Sequence, residues 1–203
     1  YPQPSEQKKG CGFPVMKFTG VFSLATGLCH LLAYGNLRNH ERNLFHRLWD
    51  EICLRFDLIL GDCGFTSFAD MYLLKQRGVD TVLRQHQTRT SDFRRGKRLG
   101  RHDHLVIWRK PPSRPVWVSP DVYAAMPAEW TVREVKVRVT VKGFRTQVYV
   151  IVTTLLDPVR YPPSALAELY FLRWSVELRF RDIKCVLGLD ILRCKSPAMV
   201  QKE

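Results

Sequence analysis

The 203-residue chain reads as an α/β protein whose order of helices and strands is interrupted by a β-rich insertion. Three observations carry that reading. Short apolar runs alternate with helix-periodic segments as far as Gln85. Residues 87–155 are first strongly basic and then dense in Val, Thr, Trp and Tyr. A long stretch of helical period follows Pro162-Pro163-Ser164, a good helix opening.

Taken in order, residues 1–12 are polar and read as a loop. Val15 to Leu24 and Leu28 to Tyr34 are apolar and β-tolerant, joined by Ala25-Thr26-Gly27, which predicts an antiparallel hairpin. Asn39 is placed to cap a helix whose apolar face is Leu44, Phe45, Leu48, Trp49 and Ile52. Leu58-Ile59-Leu60-Gly61-Asp62 is a short apolar run ending in a carboxylate, the pattern of a buried strand. Ser67 with Asp70 resembles a capping box, opening a helix through Met71, Leu73 and Leu74 that stops at Gly78. Val79 to Gln85 reads as the next strand.

Residues 87–110 hold Arg89, Arg94, Arg95, Lys97, Arg98, Arg101, Arg109 and Lys110 against Asp92 and Asp103, which predicts an exposed basic loop. Leu105 to Trp108, Val116 to Val118, Thr131 to Val141 and Thr146 to Leu155 read as strands, with a turn at Lys142-Gly143-Phe144. In Thr131 to Val141 the valines 132, 135, 137, 139 and 141 oppose Arg133, Lys136, Arg138 and Thr140, with one slip at Glu134. The long helix carries an apolar seam at Leu166, Leu169, Leu172, Val176, Phe180, Ile183 and Leu187 and ends near Gly188. The expected division is 1–86 and 156–203 as the two parts of a core, with 87–155 inserted between them.

Net charge is +13, which favours a polyanionic partner, nucleic acid above all; the alternative is a merely basic surface. Six cysteines occur without a Cys-x-x-Cys pair, which argues against a zinc ribbon and for reduced thiols in a cytoplasmic protein. No signal peptide or membrane span is read: Val15 to Tyr34 is broken by Lys17, Gly20, Gly27 and His30. Tyr1-Pro2-Gln3-Pro4 and Gln201-Lys202-Glu203 read as mid-chain, so the chain is expected to be an internal piece of a longer protein.

Two features carry chemistry. Tyr170, Arg173, Glu177 and Lys184 are spaced three, four and seven apart, so on a helix they fall within an arc of about 60°. They flank the apolar seam. The stripe suits a metal-bound carboxylate beside a phosphate-gripping surface. Its alternative is a solvated face, on which the Arg173–Glu177 pair stabilises by only about 0.2–0.5 kcal/mol. Asp62 stands where α/β sheets place site residues, at the C-terminal end of a strand. Its alternative is to cap the helix that follows. His102-Asp103-His104, in an Arg-rich loop without companion ligands, reads as surface or phosphate contact rather than a metal site.

The spacing Tyr-x2-Arg-x3-Glu-x6-Lys, met without a gap by Tyr170, Arg173, Glu177 and Lys184, resembles the signature of DDE-type transposases of bacterial insertion sequences. Gly61-Asp62 with Gly64-Phe65 is similar to that family's second-aspartate motif, and Trp174 is usual there. Phe93 to Gly100, Asp103 to Val106, Thr131 to Val135 and Leu192 to Lys195 also resemble members of the family, so the likeness runs along nearly the whole chain.

The resemblance implies an RNase H-like fold, a mixed sheet flanked by helices and interrupted by a β-rich insertion. It implies Mg2+- (or Mn2+-) dependent phosphodiester cleavage and strand transfer, with two metals held by three carboxylates, of which Asp62 and Glu177 are two. Arg173 and Lys184 would hold DNA phosphates and Tyr170 would hydrogen-bond a phosphate oxygen. Arg94, Arg95, Lys97 and Arg98 would add DNA contacts. Trp108, Trp117 and Trp130 are candidates to stack an unpaired base, with core packing as the alternative for each. The partners would be double-stranded DNA, both terminal repeats and target, bound by a homodimer in the bacterial cytoplasm or at its nucleoid, without a membrane.

Two departures qualify the likeness. The family's first aspartate precedes the segment equivalent to Tyr1, so the chain alone is expected to bind Mg2+ weakly and to be inactive. Cys63 stands where close relatives often carry Arg. The alternative functions are a non-catalytic DNA-binding remnant and another RNase H-like nuclease.

Overall fold

The computed structural model of the chain describes residues 16–139, 146–181, 185, 194, 197–200 and 202. The loop expected at 1–12, the turn at Lys142-Gly143-Phe144 and the helix end near Gly188 lie outside them. The chain divides into two compact units, Tyr1–Ile52 with Trp174–Glu203, and Cys53–Arg173.

In the first unit, β1 (Met16–Phe22) and β2 (Cys29–Asn36) form the expected antiparallel hairpin, registered from Met16 opposite Asn36 to Phe22 opposite Cys29. The helical period that follows is cut in two, α1 (Glu41–His46) and α2 (Trp49–Arg55), the latter running past Ile52. The break is a tightening of the backbone: Arg47 N donates to Leu44 O at 3.2 Å and Leu48 N to Phe45 O at 3.0 Å, both one residue short of the α spacing. The apolar face is as read, with Leu44, Phe45, Leu48, Trp49 and Ile52 all buried. Asn39 does not cap the helix. Its Oδ1 accepts from Asn36 N at 2.9 Å and closes the turn after β2, leaving His40 in the cap position without a side-chain bond.

The second unit is built on a six-stranded mixed sheet. Its strands are β3 (Leu58–Gly61), β4 (Asp80–Arg84), β5 (Lys97–Gly100), β6 (Asp103–Arg109), β7 (Glu129–Val139) and β8 (Gln147–Thr153), in spatial order β3-β4-β8-β7-β6-β5. β3 and β4 are parallel, and every other pair is antiparallel. The strands from 97 to 153 extend the sheet of β3 and β4 through the β4–β8 pairing, Val82 opposite Thr153.

Consecutive residues point to opposite faces of a strand, and the two cores obey this. Leu83, Val132 and Val152 pack with Phe68 and Met71 of α3 (Phe68–Gln76). Val82, Val135 and Ile151 pack with Leu166 and Tyr170 of α5 (Pro163–Arg181). Helices thus cover both faces, the α/β architecture expected. Ser67 caps α3 as read, accepting from Asp70 N at 3.1 Å, and Gly78 at φ 84° ends it.

Four expectations need correction. Residues 87–110 are not a single loop: β5 and β6 form a hairpin within them. Gly96, at φ 76°, allows its close approach, since a Cβ there would sit 2.1 Å from Leu105 O. Val116 to Val118 is a turn, closed by Val118 N on Pro115 O at 3.1 Å. Ser119 then caps a short helix, α4 (Pro120–Ala125), that the pattern did not suggest.

The alternation of β7 fails in its middle. Arg133 is 0% exposed and Glu134 4%, because β7 lies between β6 and β8 with both faces covered. Lastly, the seam of α5 is rotated. Tyr170 is 0% exposed and Leu172 45%, since Leu166, Ala167 and Tyr170 form the face that meets the sheet. Further along α5, within the first unit, Phe180 packs on Phe18 and Phe22 at centroid distances of 5.5 and 4.9 Å. α6 (Pro197–Val200) is the last described helix. No described helix is long and apolar enough to cross a membrane.

Candidate active site

β3 ends at Gly61 and the chain turns through a 3₁₀ segment at Cys63–Phe65, leaving Asp62 at the C-terminal end of the parallel pair. Asp62 bonds no cap donor, and α3 already has its cap in Ser67. The capping alternative for Asp62 is thereby removed. Its Oδ1 is shielded from water and accepts no hydrogen bond among the described residues.

Arg84 faces Asp62 at ion-pair range, its Nη1 3.8 Å from Oδ1. Gly61 pairs with Leu83 across the two parallel strands, so Asp62 and Arg84 occupy equivalent strand ends. Arg84 carries no local signal beyond being the last residue of a strand. Only the parallel register places it here, and the sequence reading missed it.

The wall beside this pair is aromatic. The Arg84 guanidinium sits 4.8 Å from the centroid of the Tyr149 ring, and Tyr149 meets Tyr170 edge-on at 5.7 Å. Arg173, one turn further on α5, has its guanidinium 5.4 Å from the Tyr170 centroid. The Tyr170 hydroxyl makes no full hydrogen bond among the described residues. Burial pushes its pKa up to about 12; Arg173 and Arg84 oppose that rise, and the Asp62 charge adds to it. The structure therefore brings together Asp62, Tyr170 and Arg173 from the sequence reading and adds Arg84 and Tyr149. Tyr170 enters as a buried ring beneath the cations rather than as a surface hydroxyl.

The other expected residues fall elsewhere. Glu177 is exposed on α5, four residues past Arg173, and belongs to the first unit. Lys184 lies outside the described residues. Among the described residues no three His, Cys, Asp or Glu side chains group as a metal site. Asp62 does fit a hard cation as one ligand, being a shielded carboxylate oxygen with no donor of its own. Cys63 is a half-buried free thiol in the 3₁₀ turn.

Arg94 and Arg95 share Asp92, at 2.9 and 3.4 Å, while Lys97 and Arg98 stand exposed on the edge strand β5. The tryptophans take the core alternative. Trp108 is buried, its Nε1 donating to Glu134 Oε1 at 2.9 Å, and Trp117 and Trp130 pack against the same core.

Of the triplet at 102–104, His102 is exposed in the turn between β5 and β6. Asp103 and His104 are buried instead of superficial. His104 Nδ1 meets Arg95 O at 2.7 Å and its Nε2 meets Glu134 at 3.2 Å. Asp103 receives Arg133 in a two-pronged ion pair, 2.8 and 2.6 Å.

A six-stranded mixed sheet with helices on both faces is the architecture of the RNase H-like class of α/β proteins. The chain belongs to the transposase DDE domain family, whose profile matches residues 2–203. It is similar to the transposase InsG of insertion sequence element IS4 from Escherichia coli strain K12, at 26% identity over 206 aligned positions covering 100% of this chain and 44% of that protein. It is also similar to the transposase of insertion sequence element IS421 from Escherichia coli, at 38% identity over 53 residues, 26% of this chain and 14% of that protein. The chain thus spans less than half the length of these curated relatives. No solved structure matches it.

Proposed function

We propose that the chain is the catalytic core of a DNA transposase that cuts phosphodiester bonds at insertion-sequence ends and joins them to target DNA, moving its element by cut-and-paste. The observation that carries this reading is the Asp62 carboxylate. Its Oδ1 is sheltered and without a hydrogen-bond donor among the described residues, at the end of a parallel strand, 3.8 Å from Arg84 and near enough to Tyr170 for its charge to act on that phenol. Membership of the transposase DDE family supports it.

Asp62 and Glu177 are assigned as ligands of Mg2+ or Mn2+. When bound, two such ions would lower the pKa of the attacking water or 3′-hydroxyl and stabilise the leaving oxygen. Arg84 faces the Asp62 carboxylate at ion-pair range and offers its N–H groups to a phosphate oxygen. Arg173 and Lys184 grip neighbouring phosphates, and Tyr170 gives Arg173 a rigid aromatic base. Arg94, Arg95, Lys97 and Arg98 extend the contact along double-stranded DNA, with sites in both the terminal repeats and the target. The acting species is a homodimer on DNA. Asp62 and Glu177 supply two of the three carboxylates that such a two-metal site uses.

The test uses the full-length protein on a duplex carrying its terminal repeat. Mg2+-dependent nicking is expected for the wild type and lost in Asp62→Asn and in Glu177→Gln, with duplex binding retained by both. A wild-type protein that binds the repeat but never nicks it would sink the enzyme reading and leave a DNA-binding remnant. Nicking indifferent to the repeat sequence would point to a general nuclease.

A further inference from the structure

Arg84 carries its charge on a long side chain at the very end of β4, and two contacts fix it there. Its carbonyl accepts from Thr66 Oγ1 at 2.6 Å, so the turn that follows Asp62 clasps the end of the strand. Its guanidinium lies over the Tyr149 ring, 4.8 Å from the centroid. The first contact holds the backbone and the second holds the head group.

Sheet register brings the second contact about. Arg84 pairs with Ile151 across β4 and β8, and Tyr149 stands two residues before Ile151, on the same face. Diagonal neighbours of this kind lie about 7–8 Å apart, within reach of an aromatic side chain. Gln85 N donates to Val150 O at 2.8 Å, which carries the pairing past Arg84. Tyr149 is itself held: it is half-buried, packs on the core of Val82, Val135, Ile151 and Leu166, and meets Tyr170 edge-on.

A ring holds a guanidinium differently from a carboxylate. The attraction comes from the π face and takes up none of the N–H groups, and the positive charge is not cancelled. The Asp62 pairing, at 3.8 Å, is longer than a hydrogen bond. Arg84 therefore keeps its donors while its side chain is ordered in advance, which lowers the entropy lost when an anion arrives.

We propose that Tyr149 is the positioning residue for Arg84: its ring holds the guanidinium at the Asp62 strand end, with charge and N–H groups open to a phosphate oxygen of the bond being cut. The proposal rests on the transposase reading for the identity of that phosphate. The hold of Tyr149 on Arg84 is testable apart from it.

The test uses the full-length protein and a duplex carrying its terminal repeat, with nicking rate at saturating protein and repeat affinity read separately. In Tyr149→Leu the rate should fall about tenfold, the scale of one part-desolvated cation–π contact, with affinity unchanged. Tyr149→Phe, which keeps the ring, should restore the lost rate. Tyr161→Leu is the packing control, since Tyr161 meets the same core but has Arg160 over its ring, at 5.3 Å. It should nick like wild type. A rate in Tyr149→Phe no better than in Tyr149→Leu would overturn the proposal, and so would an equal loss in Tyr161→Leu.

A second measurement needs no activity. In urea unfolding, Tyr149→Leu and Arg84→Met together should lower the midpoint by less than the sum of their separate effects, because each removes the same contact. Strictly additive losses would overturn the proposal. A wild type that never nicks would end the transposase reading, and the urea cycle would still decide whether Tyr149 holds Arg84.

Discussion

At Tyr170 a phenol hydroxyl is enclosed beside Asp62, Arg84 and Arg173 without a full hydrogen bond among the described residues. An enclosed polar group costs stability when its bond is incomplete. Tyr170→Phe is therefore expected to leave stability unchanged or raise it by up to about 1 kcal/mol, read as a higher urea midpoint at pH 7. The ionisation adds a signature. The folded pKa is about 12 against 10.0 for an unperturbed tyrosine, so the unfolded chain loses the phenol proton first. The stabilisation is fully present below pH 10 and is lost as pH rises through 12. Wild type should thus lose ground to Tyr170→Phe over that window. Parallel curves would show the phenol to be solvated. Glu177 and Tyr170 were both legible as members of one helix stripe. That one is exposed and the other enclosed was not, because spacing places residues on a face without saying what covers it.

Among the elements, β7 departs most from its pattern. Its Arg133 guanidinium grips Asp103 on β6 and reaches the carbonyls of Tyr161, Asp157 and Leu155 at 2.7, 3.3 and 3.4 Å. One side chain thereby ties β7 to β6 and to the segment that leads into α5. Arg133→Met leaves Asp103 buried without its cation, and a loss of about 3–5 kcal/mol in urea unfolding is expected. Asp103→Leu on top of it should recover much of that loss, because a buried ion pair replaced whole costs little. Recovery should stay incomplete, since three carbonyls still lack their donor. A double mutant no more stable than Arg133→Met would show that the pair matters only through packing.

For the whole molecule the net charge of +13 acts in two directions at once. Self-repulsion weakens the compact state, and the same cations attract DNA. Raising salt from about 50 to 200 mM should therefore raise the melting temperature while weakening DNA binding steeply. Trends of the same sign would mean that the cations are neutralised within the fold. Much of the architecture was legible because periodicity is local. The hairpin, the capped helix after Ser67, the strand ending at Asp62 and the long helix each announce themselves within a dozen or so residues. The break between α1 and α2, the turn at 116–118 and α4 were not, since short tightened segments leave no period to read.

The chain alone determined that a carboxylate ends an apolar strand, that Tyr170, Arg173 and Glu177 share one helical stripe, and that a basic, β-rich segment lies between them. Each is a matter of order and spacing along the backbone. Tertiary structure decided the company those residues keep. The parallel register of β3 and β4 sets Arg84 beside Asp62. The place of β7 between β6 and β8 buries Arg133 and Glu134. Packing of α5 on the sheet turns Tyr170 inward. Those outcomes depend on which distant strands become neighbours, and contacts across large sequence separations leave no mark in local pattern.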